Sequence, residues 1–180
     1  MKIVYFFPLV MLFIGMPVTY ADDGASINLQ IFGTIIGESC DVDVNSKEQT
    51  VDLGDFDASE FPVPGTTSPE KAFTIDLNNC SRAIQGTKVW FSGTPDSNNP
   101  DLLALSDTGK GTATEMATGV GVELLNAELN PIKINNVESA IYPLKQGDNS
   151  LTFNLRYKST LPAVTPGNAT AIMYFDLLYQ

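Results

Sequence analysis

No histidine occurs in the 180 residues, and there are only two cysteines and ten basic side chains. Without an imidazole there is no Ser–His or Cys–His nucleophile, no histidine metal ligand and no histidine pH switch. Two thiols alone do not complete a structural zinc site. Twenty-one Asp and Glu outweigh the cations and leave a formal charge of −11. That excess argues against nucleic acid and against an anionic membrane surface as partners. Charged residues are only 17% of the chain and hydrophobic ones 43%, so the acidity does not come from a disordered tail. Gly109-Lys110-Gly111-Thr112 lacks the upstream glycine of a phosphate-binding loop. No carboxylate pair or Ser–Lys dyad suggests a hydrolase. No enzyme class, cofactor or metal is indicated. An acidic binding or structural domain is left, of one domain's length.

Residues 1–21 read as a secretory leader. Lys2 precedes an apolar run, Ile3 to Ile14, broken only by Pro8, and Thr19-Tyr20-Ala21 closes it with a small residue. The run is too short to span a bilayer, which takes about 20 residues. Loss of Lys2 with the leader takes the charge one unit further negative. Export places Cys40 and Cys80 in an oxidising compartment, where two cysteines most simply pair; two free buried thiols are the alternative. No C-x-x-C motif suggests redox work.

The rest of the chain repeats with a period of two, and amphipathic helical spacing is scarce. Val51 and Leu53 alternate within Gln49 to Leu53, and Phe73, Ile75 and Leu77 alternate ahead of Cys80. Further strands are expected at Thr87 to Ser92, at Val120 to Leu124, at Leu151 to Lys158 and at Ala171 to Tyr179. Turn clusters such as Pro62-Val63-Pro64-Gly65 and Gly147-Asp148-Asn149 separate them. Short strands between turns predict a β-sandwich. One short helical turn is possible at Ala113 to Ala117.

Between the leader and Cys40 lies an arm, residues 22–36, in which Ile27, Leu29, Ile31, Gly33 and Ile35 share one parity. At Ile36-Gly37 the parity slips by one, which exchanges the faces of a strand. An apolar strand at a terminus must bury that face, either within its own sandwich or against another chain. Burial of Ile27, Leu29, Ile31 and Ile35 contributes about 1.5–3 kcal/mol each as an upper figure.

Other constellations read more simply. Asp52, Asp55, Asp57 and Glu60 fit no EF-hand spacing and read as a solvated acidic loop before a calcium site. Asp41 and Asp43 flank Val42 and should face solvent. Asn168-Ala169-Thr170 is a glycosylation sequon by pattern, read here as a turn into the last strand. Trp90 and Phe91 read as core and half-buried surface before a sugar platform.

Taken in order, these segments resemble pilins of the chaperone–usher pathway, specifically subunits like the type 1 fimbrial protein. The resemblance rests on Ile27-x-Leu-x-Ile-x-Gly33, on the spacing of seven from Gly33 to Cys40 and on the spacing of forty from Cys40 to Cys80. It rests also on Phe73-x-Ile75-x-Leu77-x-x-Cys80, on Gly167-Asn168-Ala169-Thr170-Ala171 and on Phe175-x-Leu177-x-Tyr179-Gln180. It covers the whole mature chain. It implies an all-β, incomplete immunoglobulin-like sandwich over residues 37–180, lacking its last strand, with the arm as a donor strand. A periplasmic pilus chaperone would cover the resulting groove. At an outer-membrane usher the arm of the next subunit would replace it, head to tail, by strand addition. Ile27, Leu29, Ile31, Gly33 and Ile35 then carry the donor role, and Phe175, Leu177 and Tyr179 form the groove and the chaperone-facing strand. The expected product is a structural subunit of a surface fimbria, exported through the periplasm and supporting adhesion, in the shaft or as a linker near the tip. A tip adhesin that binds a host receptor is the alternative.

Overall fold

Alternation becomes strand wherever a second segment can complete the ladder. The computed structural model describes residue 32 and residues 39–180, and within them eight strands form. These are β1 (Asp41–Val42), β2 (Lys71–Cys80), β3 (Gly86–Ser92), β4 (Val120–Leu125), β5 (Pro131–Ile132), β6 (Ile141–Pro143), β7 (Gly147–Ser159) and β8 (Tyr174–Tyr179). All named pairings are antiparallel. One sheet has the order β1-β2-β7-β4-β5 and the other the order β6-β3-β8. Among the described residues helix is limited to α1 (Val44–Lys47) and a 3-10 turn at Ala58–Glu60.

The inward residues of the two sheets meet face to face. Phe153 on β7 is fully buried; its ring lies 5.7 Å from that of Phe73 on β2 and 4.8 Å from that of Phe91 on β3. Ile75, Leu77, Leu124 and Leu151 fill the same cluster. A second cluster gathers Phe61, Leu103, Val120, Val122, Ile134 and Tyr157. Such interdigitation over a core about 10 Å thick defines a β-sandwich. On the outer face of the larger sheet Glu123 is buried, and it is paired by Arg156 at 2.7 Å and by Lys158 at 2.6 Å. A buried carboxylate is tolerated only when paired in this way.

Cys40 and Cys80 are joined, with their Cα atoms 4.1 Å apart, and both lie in the first cluster. The pairing of Asp41 with Asn78 across β1 and β2 brings them together. The ladder is irregular between Leu77 and Cys80, where Asn79 takes a positive φ of 54°.

The strand expected at Gln49 to Leu53 is absent. Its alternation survives, with Val51 and Leu53 half-buried and Thr50 and Asp52 exposed. The ladder is lost because α1, capped by the Asp43 carboxylate at the Asn45 N–H, lifts the chain off β2. Beyond α1 the Gln49 side chain, not its backbone, donates to the Thr74 carbonyl at 3.0 Å. Asp43 therefore does not simply face solvent, and Asp41 accepts from Asn79. The last strand starts at Tyr174 rather than Ala171, and Ala113 to Ala117 forms bends rather than a helical turn.

Candidate functional site

β8 is the last strand of the smaller sheet. Among the described residues it pairs only with β3, from Thr87 opposite Tyr179 to Ser92 opposite Tyr174. Its alternation is complete: Tyr174, Asp176 and Leu178 are exposed, while Phe175, Leu177 and Tyr179 are half-buried against the first core cluster. The three apolar residues singled out in the sequence therefore lie on one face, continued by Met173 and Ala171 on the approach to the strand. None of them is fully covered, unlike the inward residues of β2 and β4.

The opposite flank is the segment that failed to become a strand. Val51 packs on the first cluster, and Leu53 and Phe56 on the second. Among the described residues, 48–56 make no backbone–backbone hydrogen bond. One contact ties β8 to the chain ahead of β1, and one cavity is shared between this segment and the chain that leads into β8. At one end the Tyr179 hydroxyl donates to the Cys40 carbonyl at 3.3 Å, just ahead of β1. At the other a cavity of about 450 Å³ is walled jointly by Asp52, Asp55 and Phe56 and by residues 164–170, with Val120 and Tyr157 beneath. The strip has half-buried apolar walls, one side made by a segment without backbone–backbone hydrogen bonds and the other by β8, which among the described residues pairs only with β3. A row of open strand edge over exposed core is a template for one more strand.

Burial raises the Tyr179 hydroxyl above its ordinary value, with the Cys40 carbonyl pulling it back and Asp41 adding to the rise. Tyr157 is raised in the same way, by burial first and then by Asp52 and Asp55. Both phenols are therefore neutral donors. The Tyr157 hydroxyl donates to the Ala169 carbonyl and so pins the chain that leads into β8.

Ile27, Leu29, Ile31, Gly33 and Ile35, expected from the resemblance to form the donor strand, lie outside the described residues. Asp57 and Glu60 are occupied in a capping box: the Asp57 carboxylate accepts from the Ser59 N–H at 2.8 Å, and the Glu60 carboxylate accepts from the Asp57 N–H at 2.7 Å. The side-chain amide of Asn168 is held at both of its polar atoms by Ala113. Phe91 is core, whereas Trp90 stands on the outer face of the smaller sheet and donates to the Val137 carbonyl at 3.3 Å. Sequence reading missed Val51, Leu53 and Phe56 as a groove wall, although their alternation was the visible signal. It gave no sign of the cavity, whose lining comes from three separate loops.

Comparison with known proteins agrees with this architecture. The model of the family described as "Fimbrial protein" matches residues 29–180. The fimbrial subunit type 1 of Salmonella typhimurium is 37% identical over 159 residues, covering 87% of this chain and 83% of the relative. A fimbrial-like protein of Escherichia coli K12, YcbU, is 39% identical, with 99% and 95% covered. Among solved structures, the antigen and type I fimbria protein of Burkholderia pseudomallei superposes with a TM-score of 0.60 at 35% identity, covering 78% of this chain and 89% of that one. The P pilus rod subunit PapA shares the fold with a TM-score of 0.66 at 24% identity, over 78% and 99% of the two chains. An immunoglobulin-like sandwich with one disulfide, matched along most of its length by the family model and by these relatives, makes this chain a member of the fimbrial protein family, a structural subunit of bacterial surface fimbriae.

Proposed function

We propose that the chain polymerises by donor-strand exchange. In this reading the arm, residues 22–36, of one copy lies along β8 of the next and fills the groove left beside it. Ile27, Leu29, Ile31 and Ile35 turn into the groove, and Gly33 sits where the acceptor backbone leaves no room for a side chain. Before assembly a periplasmic chaperone covers the same edge, and an outer-membrane usher hosts the exchange. The arm of each copy serves its neighbour, so the contact is head to tail and does not close on itself. The subunit belongs to the shaft or to a linker near the tip.

The observation that supports this most directly is the edge of β8. Six residues of strand, with Phe175, Leu177 and Tyr179 half-covered beneath, match what an alternating apolar arm needs. Backbone hydrogen bonds along the edge supply affinity, and alternate side chains supply register.

The test is exchange in vitro between the chaperone-bound subunit and a synthetic peptide of residues 22–36. The native peptide should displace the chaperone, and a Gly33→Leu peptide should do so slowly or not at all. Failure of the native peptide refutes the reading. Equal exchange by both peptides removes the close approach assigned to Gly33. Gold-labelled antibody on surface fibres distinguishes shaft from linker: label along the whole fibre means shaft, and label confined to the end means linker.

A further inference from the structure

The smaller sheet has two margins, and the one away from β8 is built differently. Among the described residues β6 pairs with β3 only from Gly86 opposite Pro143 to Lys88 opposite Ile141. Carried on in that register, Val89 would meet Ala140 and Phe91 would meet Glu138. Neither pairing occurs. The Val89 N–H donates to the Ser139 hydroxyl at 3.1 Å, and that hydroxyl donates to the Val89 carbonyl at 2.7 Å. The Phe91 carbonyl accepts from the Asn135 N–H at 2.8 Å. The Asn135 side chain goes on to Gly93, accepting from its N–H at 3.1 Å and donating to its carbonyl at 2.8 Å. Side chains of Ser and Asn stand in for backbone partners in this way. Asn135 occupies the place that the register assigns to Glu138, so Asn136, Val137 and Glu138 are surplus to the ladder. They form an exposed bulge, in which Val137 is 86% exposed.

The bulge is held in place. The Trp90 indole N–H donates to the Val137 carbonyl at 3.3 Å, and the Glu138 N–H donates to the Asn136 amide oxygen at 3.3 Å. Ile134, just ahead of it, is buried in the second core cluster. Its sequence suits the task, since Asn, Glu and Ser are poor strand formers and Asn135 takes a φ of 55°, which asparagine tolerates. The backbone of β3 is thereby satisfied, yet no continuous edge is offered beyond it, and the free edge of the sheet ends at Ile141. A bulge that interrupts a margin is one of the ways in which sheets avoid pairing edge to edge.

We propose that the bulge at residues 136–138 guards this margin, and that what it excludes is the same margin of a second copy of this chain. With those residues gone, Asn135, Ser139 and Ala140 would run on into Ile141–Pro143 and give an edge as long as the six-residue β8. Two such edges are complementary to one another when antiparallel, and the contact is isologous. Ile141, 55% exposed on the outer face, would meet its equivalent across the pair. The guard keeps each fibre from fusing sideways with its neighbour. It lies on the margin away from β8 and acts in the same way whatever strand occupies the β8 edge, so it does not rest on the donor-strand reading.

The experiment compares surface fimbriae built from the native full chain, from a chain lacking residues 136–138, and from a chain of native length carrying Asn136→Gly, Val137→Ser and Glu138→Gly. Mass per unit length is measured by scanning transmission electron microscopy. Native fibres should be single. Fibres of the shortened chain should lie side by side, with mass per unit length raised about twofold or more. The chain of native length keeps the surplus residues and should stay single. Amide hydrogen exchange reads the margin directly. The Leu144 N–H bonds to the Gln85 carbonyl of the neighbouring chain segment, so by alternation the Ile141 N–H points away from β3. It should exchange freely in native fibres and be protected in the paired ones. Single fibres from the shortened chain, with Ile141 still exchanging freely, overturn the guard. Equal pairing by the chain of native length shows that the side chains, not the surplus length, keep copies apart, and overturns the bulge as the device. If the shortened chain builds no fibres alone, mixed fibres with the native chain take its place, and pairing should rise with its share. Its exclusion from mixed fibres as well assigns the bulge to folding and overturns the proposal.

Discussion

Asp57 shows how much one carboxylate can organise on a small scale. Hydrogen bonds from Ser59 hold its carboxyl below the ordinary value of 3.8. The unfolded side chain titrates near that ordinary value and the folded one lower. Its contribution to stability is therefore complete above pH 3.8 and is lost as the pH falls through the lower, folded value. Asp43, held down by the Asn45 N–H and then by the Asn78 amide, follows the same sign. Asp57→Asn keeps an acceptor for Ser59 and removes the titration. Urea midpoints measured from about pH 4 to pH 2 should then fall less steeply than in the native protein. An unchanged slope would show that Asp57 does not carry the acid sensitivity. The sequence already held the cue, since Asp57-Ala58-Ser59-Glu60 has the spacing of a capping box. It was masked by Asp52 and Asp55 close by, which made the whole run look like a solvated acidic loop. Burial partners settle such cases, and composition does not report them.

Among the elements, β8 was the most legible. Its parity from Phe175 to Tyr179 was plain in the sequence, and the structure keeps every one of those residues on its expected face. The strand proposed over Gln49 to Leu53 had the same parity and no ladder. Alternation reports which side of a segment is apolar, while a ladder needs a partner at the right distance, and α1 removes that partner by displacing the chain from β2. The same reasoning explains the short span of β8: Ala171 to Met173 alternate correctly but run beyond Ser92, the last residue of β3 able to pair. Deleting Leu177 to Gln180 removes two of the three inward residues and the Tyr179 hydroxyl's bond to Cys40. The truncated chain should lose capture by the chaperone in a periplasmic pull-down, with recovery at background. Recovery equal to that of the full chain would show that the edge of β8 is not where the chaperone docks.

For the molecule as a whole, the disulfide is the principal covalent constraint. It closes a loop across a separation of 40 residues, for which the chain-entropy account gives about 4 kcal/mol of stabilisation. Mass spectrometry of denatured, unreduced mature protein should count no free thiol, and two per chain would contradict the bond. In the peptide-filled subunit, reduction should lower the unfolding free energy by about that 4 kcal/mol, read from urea midpoints with and without reductant. Export, two cysteines and their order in the chain made this bond legible from the start, whereas the cavity between three loops was not, because nothing local encodes the meeting of distant segments. The lengths of the strands at the margins carry a different consequence. β1 and β5 each have two residues and β6 has three, and proline stands in β5 and β6. Strands so short, or lacking an N–H, recruit no further chain. Among the described residues only β8, with six, is long enough to do so. Under the proposed donor-strand exchange, a monomer with a single receptive margin has a valence of one on its accepting side, so the polymer neither branches nor widens into sheets, and its mass per unit length stays constant however long it grows.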